Sequence, residues 1–302
     1  MPNPVLKSIR DALGALNPDE IRKHTERRLR LLLYAHSDYD YLSMEEFLIP
    51  PELSPARRSE SNALIRRASE GLAPLSNDEV EIYFEDAPPD GLTPIRDVFA
   101  FHPDHPERIV DDMLRRRPDL AIPLARNFLP FRAEVSSRII KKISRENALF
   151  ALATAVPDLV PFVSLPWAVG EFASDTAVLT ANQIRMAFRL AAAHDRDFGY
   201  REQSGEIASL IAGAFGWRAL ARELVGKIPM GGGLIPKGAI AYAGTFVVGL
   251  SLERYYRLGY AYTKEERRFA YQEALARGRD WVASWLGGRH RAGRLPRAAI
   301  QD

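Results

Sequence analysis

Chemistry in this chain would have to come from a short set of histidines and acids. There are six histidines and no cysteine. The second fact excludes disulfides, thiolate zinc sites, thiol nucleophiles and cysteine-held iron–sulfur clusters. His36, Asp38 and Asp40 follow the apolar run Leu29 to Tyr34. An α/β protein often builds its site just past the carboxyl end of such a run. Acid–base or nucleotide-binding chemistry is what the trio could do, although the interleaved Tyr39 and Tyr41 also fit an ordinary polar loop. His102-Pro103-Asp104-His105 brings two imidazoles and a carboxylate together, the donor types of a metal site. Nothing in a proline-rich turn forces them to converge. His194-Asp195 ends an apolar helical pattern, where a histidine usually serves the helix dipole.

Neither a Gly-x-Ser-x-Gly elbow nor a His-Glu-x-x-His pair occurs. A phosphate-binding loop needs a glycine, four residues, then Gly-Lys-Ser/Thr. Gly226-Lys227 is followed by Ile228, with Ala221 where the first glycine belongs. Gly231-Gly232-Gly233 with Lys237 has the wrong spacing and reads as a connection between helices. The expectation is a protein with no catalytic residues, no cofactor and no metal; a hydrolase or nucleotide-binding enzyme using His36, Asp38 and Asp40 is the contrasting alternative.

The elements that would position these residues come next. The chain has 302 residues, 46% hydrophobic and 26% charged, with Lys+Arg 41 against Asp+Glu 39 and a net charge of +2. That composition is globular, suits about two domains, and argues against a nucleic-acid partner. Asn17-Pro18-Asp19-Glu20 starts a helix with an N-cap, a first-turn proline and two acids. Leu29 to Tyr34 reads as a buried strand, Ser37 to Pro55 as loop with at most one helical turn, and Ser59 to Gly71 as helix. Glu79 to Glu85 and Ile95 to Phe101 read as strands, with a turn at Ala87-Pro88-Pro89-Asp90-Gly91. A helix follows from His105 to Arg117. From Phe131 to Leu286 helix dominates, broken at proline corners.

Two stretches are long and apolar enough to raise a membrane question, Asn147 to Gly170 and Ile228 to Leu252. Prolines 157, 161 and 166 divide the first into an apolar hairpin, and Pro229 and Pro236 interrupt the second. No apolar leader follows Met1, so cytoplasm is expected, with association at the inner membrane left open. The helix from Glu171 to Ala193 carries Glu171, Asp175, Asn182, Arg185 and Arg189 in one narrow stripe on an apolar cylinder. The stripe is either a solvent-facing edge or a contact surface for another helix, chain or domain. Ala241, Thr245 and Gly249 repeat every four residues and would permit close helix approach. Lys264 to Leu286 carries Phe269, Trp281 and Trp285 among arginines, as a membrane-surface helix or a packed one would.

Residues from about Leu120 to Tyr262 carry a recognisable order of motifs. They include Leu124-Ala125-Arg126-Asn127-Phe128, Ala155-Val156-Pro157-Asp158-Leu159-Val160-Pro161, Leu179-Thr180-Ala181-Asn182-Gln183-Ile184-Arg185-Met186, Lys227-Ile228-Pro229 and Ala241-Tyr242-Ala243-Gly244-Thr245. This region resembles the YcjF-type bacterial helical domain of unknown function found after small or dynamin-like GTPase domains. The resemblance implies a helical module, associated with a GTPase or a membrane, with no catalytic residues to carry over. Leu16 to Tyr34 is similar to the lead-in and first strand of such GTPases, but Ala35-His36-Ser37-Asp38 stands where the glycine loop would be.

These readings combine into a mainly α protein. Residues 1–125 form a small α/β region, resembling a degenerate GTPase without a phosphate loop. Residues 126–286 form a C-terminal helical domain with a proline-cornered apolar hairpin, and 287–302 a disordered basic tail. The expected function is a non-enzymatic helical adaptor or scaffold at a membrane or beside a GTPase encoded elsewhere. Its partner surface would carry Glu171, Asp175, Asn182, Arg185, Arg189, Ala241, Thr245 and Gly249. A soluble homo-oligomeric scaffold, with the apolar stretches as core, is the other non-enzymatic reading.

Overall fold

In the computed structural model, described over residues 11, 14, 16–68, 79–85, 98–155, 175–212 and 234–292, Leu31, Leu32 and Leu33 are all but inaccessible at 0%, 1% and 0% exposure. An unbroken apolar run of this kind belongs to a strand covered on both faces, as parallel sheets are. The run is strand β1 (Arg30–Tyr34), at the centre of a four-stranded sheet ordered β2-β1-β3-β4 with β2 (Ile65–Arg67), β3 (Glu79–Phe84) and β4 (Val98–Phe101). Every pairing is parallel; Leu31 stands opposite Ile65 and Val80, Tyr34 opposite Tyr83, and Ile82 opposite Phe99. The chain is mainly helical around this small sheet.

It divides into two compact units. One comprises 18–138 and 189–198, the other 1–17, 139–188 and 199–302. The chain passes from one to the other after Arg138, within a helix. Helix propensity continues across it, so the local sequence carries no mark of the division.

In the sheet-bearing unit, helix α1 (Pro18–Thr25) precedes β1 and helices α2 (Asp38–Leu48) and α3 (Pro55–Asn62) lie between β1 and β2. Two local expectations are corrected. The segment read as loop forms eleven residues of helix in α2, started by a capping box in which Ser37 and Asp40 satisfy each other's backbone N–H groups. The helix expected from Ser59 to Gly71 stops at Asn62, and Ile65–Arg67 is strand because it completes a ladder on β1. Helix α4 (Glu107–Arg116) buries Ile109, Val110, Met113 and Leu114 as one stripe. A short 3-10 turn leads into α5 (Ala121–Asn127), then α6 (Leu129–Ala153). Phe128 and Phe131, both fully buried, fill the joint.

The helical unit contains the end of α6, most of α7 (Asp175–Ala193), α8 (204–212), α9 (Leu234–Leu258) and α10 (Lys264–Ala292). Gly259, at φ 84, turns the chain after α9, and a second capping box, Thr263 with Glu266, starts α10. The two helices are antiparallel: Gly238 lies against Val282, Gly278 against Ala239, and Arg254 pairs with Glu266 at 2.6 Å. Tyr242 stacks on both Phe246 and Trp281. Trp281 is therefore packed here, and Arg145 lies over its ring. Helix α10 continues to Ala292, so the tail expected from Gly287 begins as helix. The proline corners at 157–166, the turn at 87–91 and the glycines at 231–233 lie outside the described residues.

Candidate functional site

A parallel sheet ordered β2-β1-β3-β4 changes direction between β1 and β3, and ligands of such sheets gather at the carboxyl ends of the strands there. Here Ser37 and Asp40, at the start of the helix that follows β1, are engaged with each other. Ser37 Oγ accepts from the Asp40 N–H at 3.2 Å, and Asp40 Oδ2 accepts from the Ser37 N–H at 3.1 Å. Two backbone donors at the start of α2, the Ser37 and Asp40 N–H groups, are thus spent on the cap. Asp38 pairs with Arg67, the last residue of β2, whose guanidinium also lies over the Tyr41 ring. His36 is exposed and makes no hydrogen bond or ion pair among the described residues. The trio does not converge, since each acid is engaged separately.

Below this edge the sheet carries an unexpected polar row. Register places Arg66, Leu32 and Glu81 side by side, with Tyr34 and Tyr83 next along the same face. The tyrosine rings stack at 4.2 Å and 7°. Tyr83 donates to the buried Glu81 carboxylate at 3.0 Å. Burial first, and the Glu81 carboxylate second, push the Tyr83 phenol well up. Arg66 has its Nε and Nη2 buried without a hydrogen-bond partner among the described residues.

His194, expected only to close a helix, meets Ser136: Oγ and Nε2 are 3.1 Å apart, both side chains buried. The spacing is that of a nucleophile and its base. Ser136, however, is 1% exposed, so it has no access to a substrate and the pair acts as a core hydrogen bond. Asp195 is clasped by Arg57 at 2.6 Å and Arg126 at 2.9 Å. Arg132 close by donates to the carbonyls of Ala125 and Arg126. Its own burial, then the Arg57 guanidinium, draws it below the ordinary arginine range. His105 lies 3.6 Å from Glu107. Among the described residues no three His, Asp or Glu side chains gather as metal ligands do.

The striped helix finds its partners inside the helical unit. Asn182 Nδ2 donates to Asn147 Oδ1 at 2.7 Å, and Asn147 Nδ2 donates to Thr245 Oγ1 at 2.7 Å. Arg185, 5% exposed, pairs with Glu146. Asn182, Arg185 and Thr245 are therefore buried against Asn147 and Glu146 of α6, not turned toward solvent. Gly249 is buried against Ile140 and Met186, and Ala241 is half-buried. Arg189 is half-buried, Asp175 opens α7, and Glu171 lies outside the described residues. The partners Asn147 and Glu146 escaped the sequence reading because a pairing across helices leaves no local pattern.

Comparison with known proteins found no matching family model, no matching curated protein and no matching solved structure.

Proposed function

We propose that this chain is a non-enzymatic helical adaptor that works beside a GTPase at the inner surface of a membrane. The observation that carries the non-enzymatic part is the capped helix start at the edge of the sheet. Where a nucleotide's phosphates would sit, Ser37 and Asp40 cap their own helix, and the Asp40 carboxylate there would repel a phosphate. The GTPase partner follows from the motifs that resemble the YcjF-type helical domain. The membrane part is supported by α9. It is 25 residues long, with a mean hydropathy of 1.3 over its apolar window, and 44% of that window is buried. No charge falls between Lys237 and Glu253.

A soluble homo-oligomeric scaffold is the second reading, and α10 favours it. That helix packs along α9 while leaving Arg268, Glu273, Arg279 and Asp280 exposed, which hydrocarbon would not tolerate. Flotation of the full chain with phosphatidylglycerol-containing vesicles, at low and high salt, separates the two. The adaptor reading expects flotation, and no stabilisation by GTP or ATP with magnesium. A chain that stays wholly in the soluble fraction without detergent leaves the scaffold; a nucleotide-induced rise in Tm removes the non-enzymatic reading.

A further inference from the structure

Within the helical unit a cavity of about 330 Å³ opens between α7, α8, α9 and the start of α10. Its size is at the small end of sites for small molecules. The apolar wall is Leu210, Val248 and Leu252. Gln183, from α7, lines it too, with only 8% of the residue exposed. The Gln183 amide has no hydrogen-bond partner among the described residues, whereas its neighbour Asn182 donates to Asn147. An amide on a cavity wall can exchange hydrogen bonds with whatever occupies the cavity.

The cavity's two ionic groups have opposite sign. Glu206 comes from α8 and Arg267 from the first turns of α10. Glu206 has no ion pair among the described residues, and Arg267 is engaged only by a long contact to the Thr263 carbonyl at 3.4 Å. Both would pair with a ligand that carries the complementary charges. Ser251 already accepts from the Tyr262 N–H at 3.2 Å, which leaves its hydroxyl proton to donate inward.

We infer that this cavity binds a small zwitterion with an apolar body, of the type of an amino acid with a branched aliphatic side chain. Arg267 takes the carboxylate and Glu206 the ammonium. Leu210, Val248 and Leu252 enclose the body, and Gln183 takes a hydrogen bond from the ligand or from a water bound with it. This site shares no residue with the sheet edge that carries the non-enzymatic reading, but α9, which supports the membrane part, supplies Val248, Ser251 and Leu252 to it.

The test is calorimetric titration of the full chain, supported by thermal shift. The probes are L-leucine, 3-methylbutylamine and 4-methylpentanoate, which share the body and differ in the charged groups. Leucine is expected to bind and raise Tm, with each singly charged analogue about tenfold or more weaker, the size of a lost hydrogen bond to a charged group. Arg267→Ala and Glu206→Gln change groups at the surface end of the cavity and leave the fold intact. Each should weaken leucine by a similar factor, and Arg267→Ala should leave the affinity for 3-methylbutylamine unchanged. Absence of binding by all three probes overturns the inference. So does leucine binding that both variants retain at full strength.

Discussion

Asn147 is hydrogen-bonded on both sides of its side chain: Asn182 donates to its carbonyl oxygen and its amide donates to Thr245, each at 2.7 Å. One residue of α6 thereby joins α7 to α9 in an interior where the surrounding side chains are apolar. Asn147→Ala leaves the Asn182 amide and the Thr245 hydroxyl buried without it. The expected cost is about 1–3 kcal/mol for each group left unsatisfied. Asn147→Leu combined with Asn182→Leu removes both ends of one bond and should cost less than the two single changes added together. Urea unfolding of the two single variants and the double one gives the coupling; a value within about 0.3 kcal/mol of zero would show the bond to be incidental.

The α9–α10 hairpin makes a graded prediction about three glycines. A Cβ at Gly278 would stand 3.0 Å from the Ala239 carbonyl oxygen, which is backbone and cannot turn aside. One at Gly249 would stand 2.8 Å from Ile140 Cγ1 and 3.0 Å from Met186 Sδ, which can yield in part. One at Gly244 meets nothing within 4 Å. Gly278→Ala should therefore destabilise most, by about 1–3 kcal/mol, and Gly249→Ala less. Gly244→Ala should gain about 0.5–1 kcal/mol, because alanine loses less backbone freedom in a helix. The order of the three melting temperatures is the check.

Those contacts also mark how far the sequence could be read. Arg30–Tyr34, Glu79–Phe84 and Val98–Phe101 were legible as strands because burial of apolar side chains is written locally. Ile65-Arg66-Arg67 was not: one apolar residue gives no period, and the strand exists because β1 offers an edge. Helix α2 was signalled by Ser37 and Asp40 in capping-box spacing, but Pro50 and Pro51 drew the reading toward a loop. At the candidate sites, the polar residues on the striped helix stood out against an apolar background. Their direction did not, because Asn147 and Glu146 sit a whole element away. Gln183 carried no signal at all, being a neutral side chain beside Asn182.

Asp195 adopts φ 55, a left-handed conformation that asparagine and aspartate tolerate better than most residues. Its carboxylate holds Arg57 through one oxygen and Arg126 through the other. Asp195→Ala loses both ion pairs and adds backbone strain, and should destabilise by about 1–3 kcal/mol. Asp195→Gly loses the pairs but relieves the strain, and Asp195→Asn keeps hydrogen-bonding capacity without the charge. Both should cost less than alanine in urea midpoint. Equal midpoints for all three would mean that neither the strain nor the clasp contributes.

Alkaline unfolding tests the buried phenols. Burial pushes Tyr271 up to about 12, and burial with the Glu81 carboxylate raises Tyr83 further. In both, the fold favours the neutral form. Below the unfolded value of about 10, folded and unfolded chains alike keep the proton and the contribution to stability is whole. Above it the unfolded chain ionises while the fold does not, so stability falls. For Tyr271 that fall is complete once pH passes about 12; for Tyr83 it extends higher. Tyr271→Phe should therefore show a shallower loss of urea midpoint between pH 10 and the end of the accessible range than the native chain. Tyr83→Phe should flatten the same limb but also lose stability at neutral pH, because Glu81 stays buried without its donor. A native-like alkaline slope in both variants would mean that these phenols are not what the rising pH attacks.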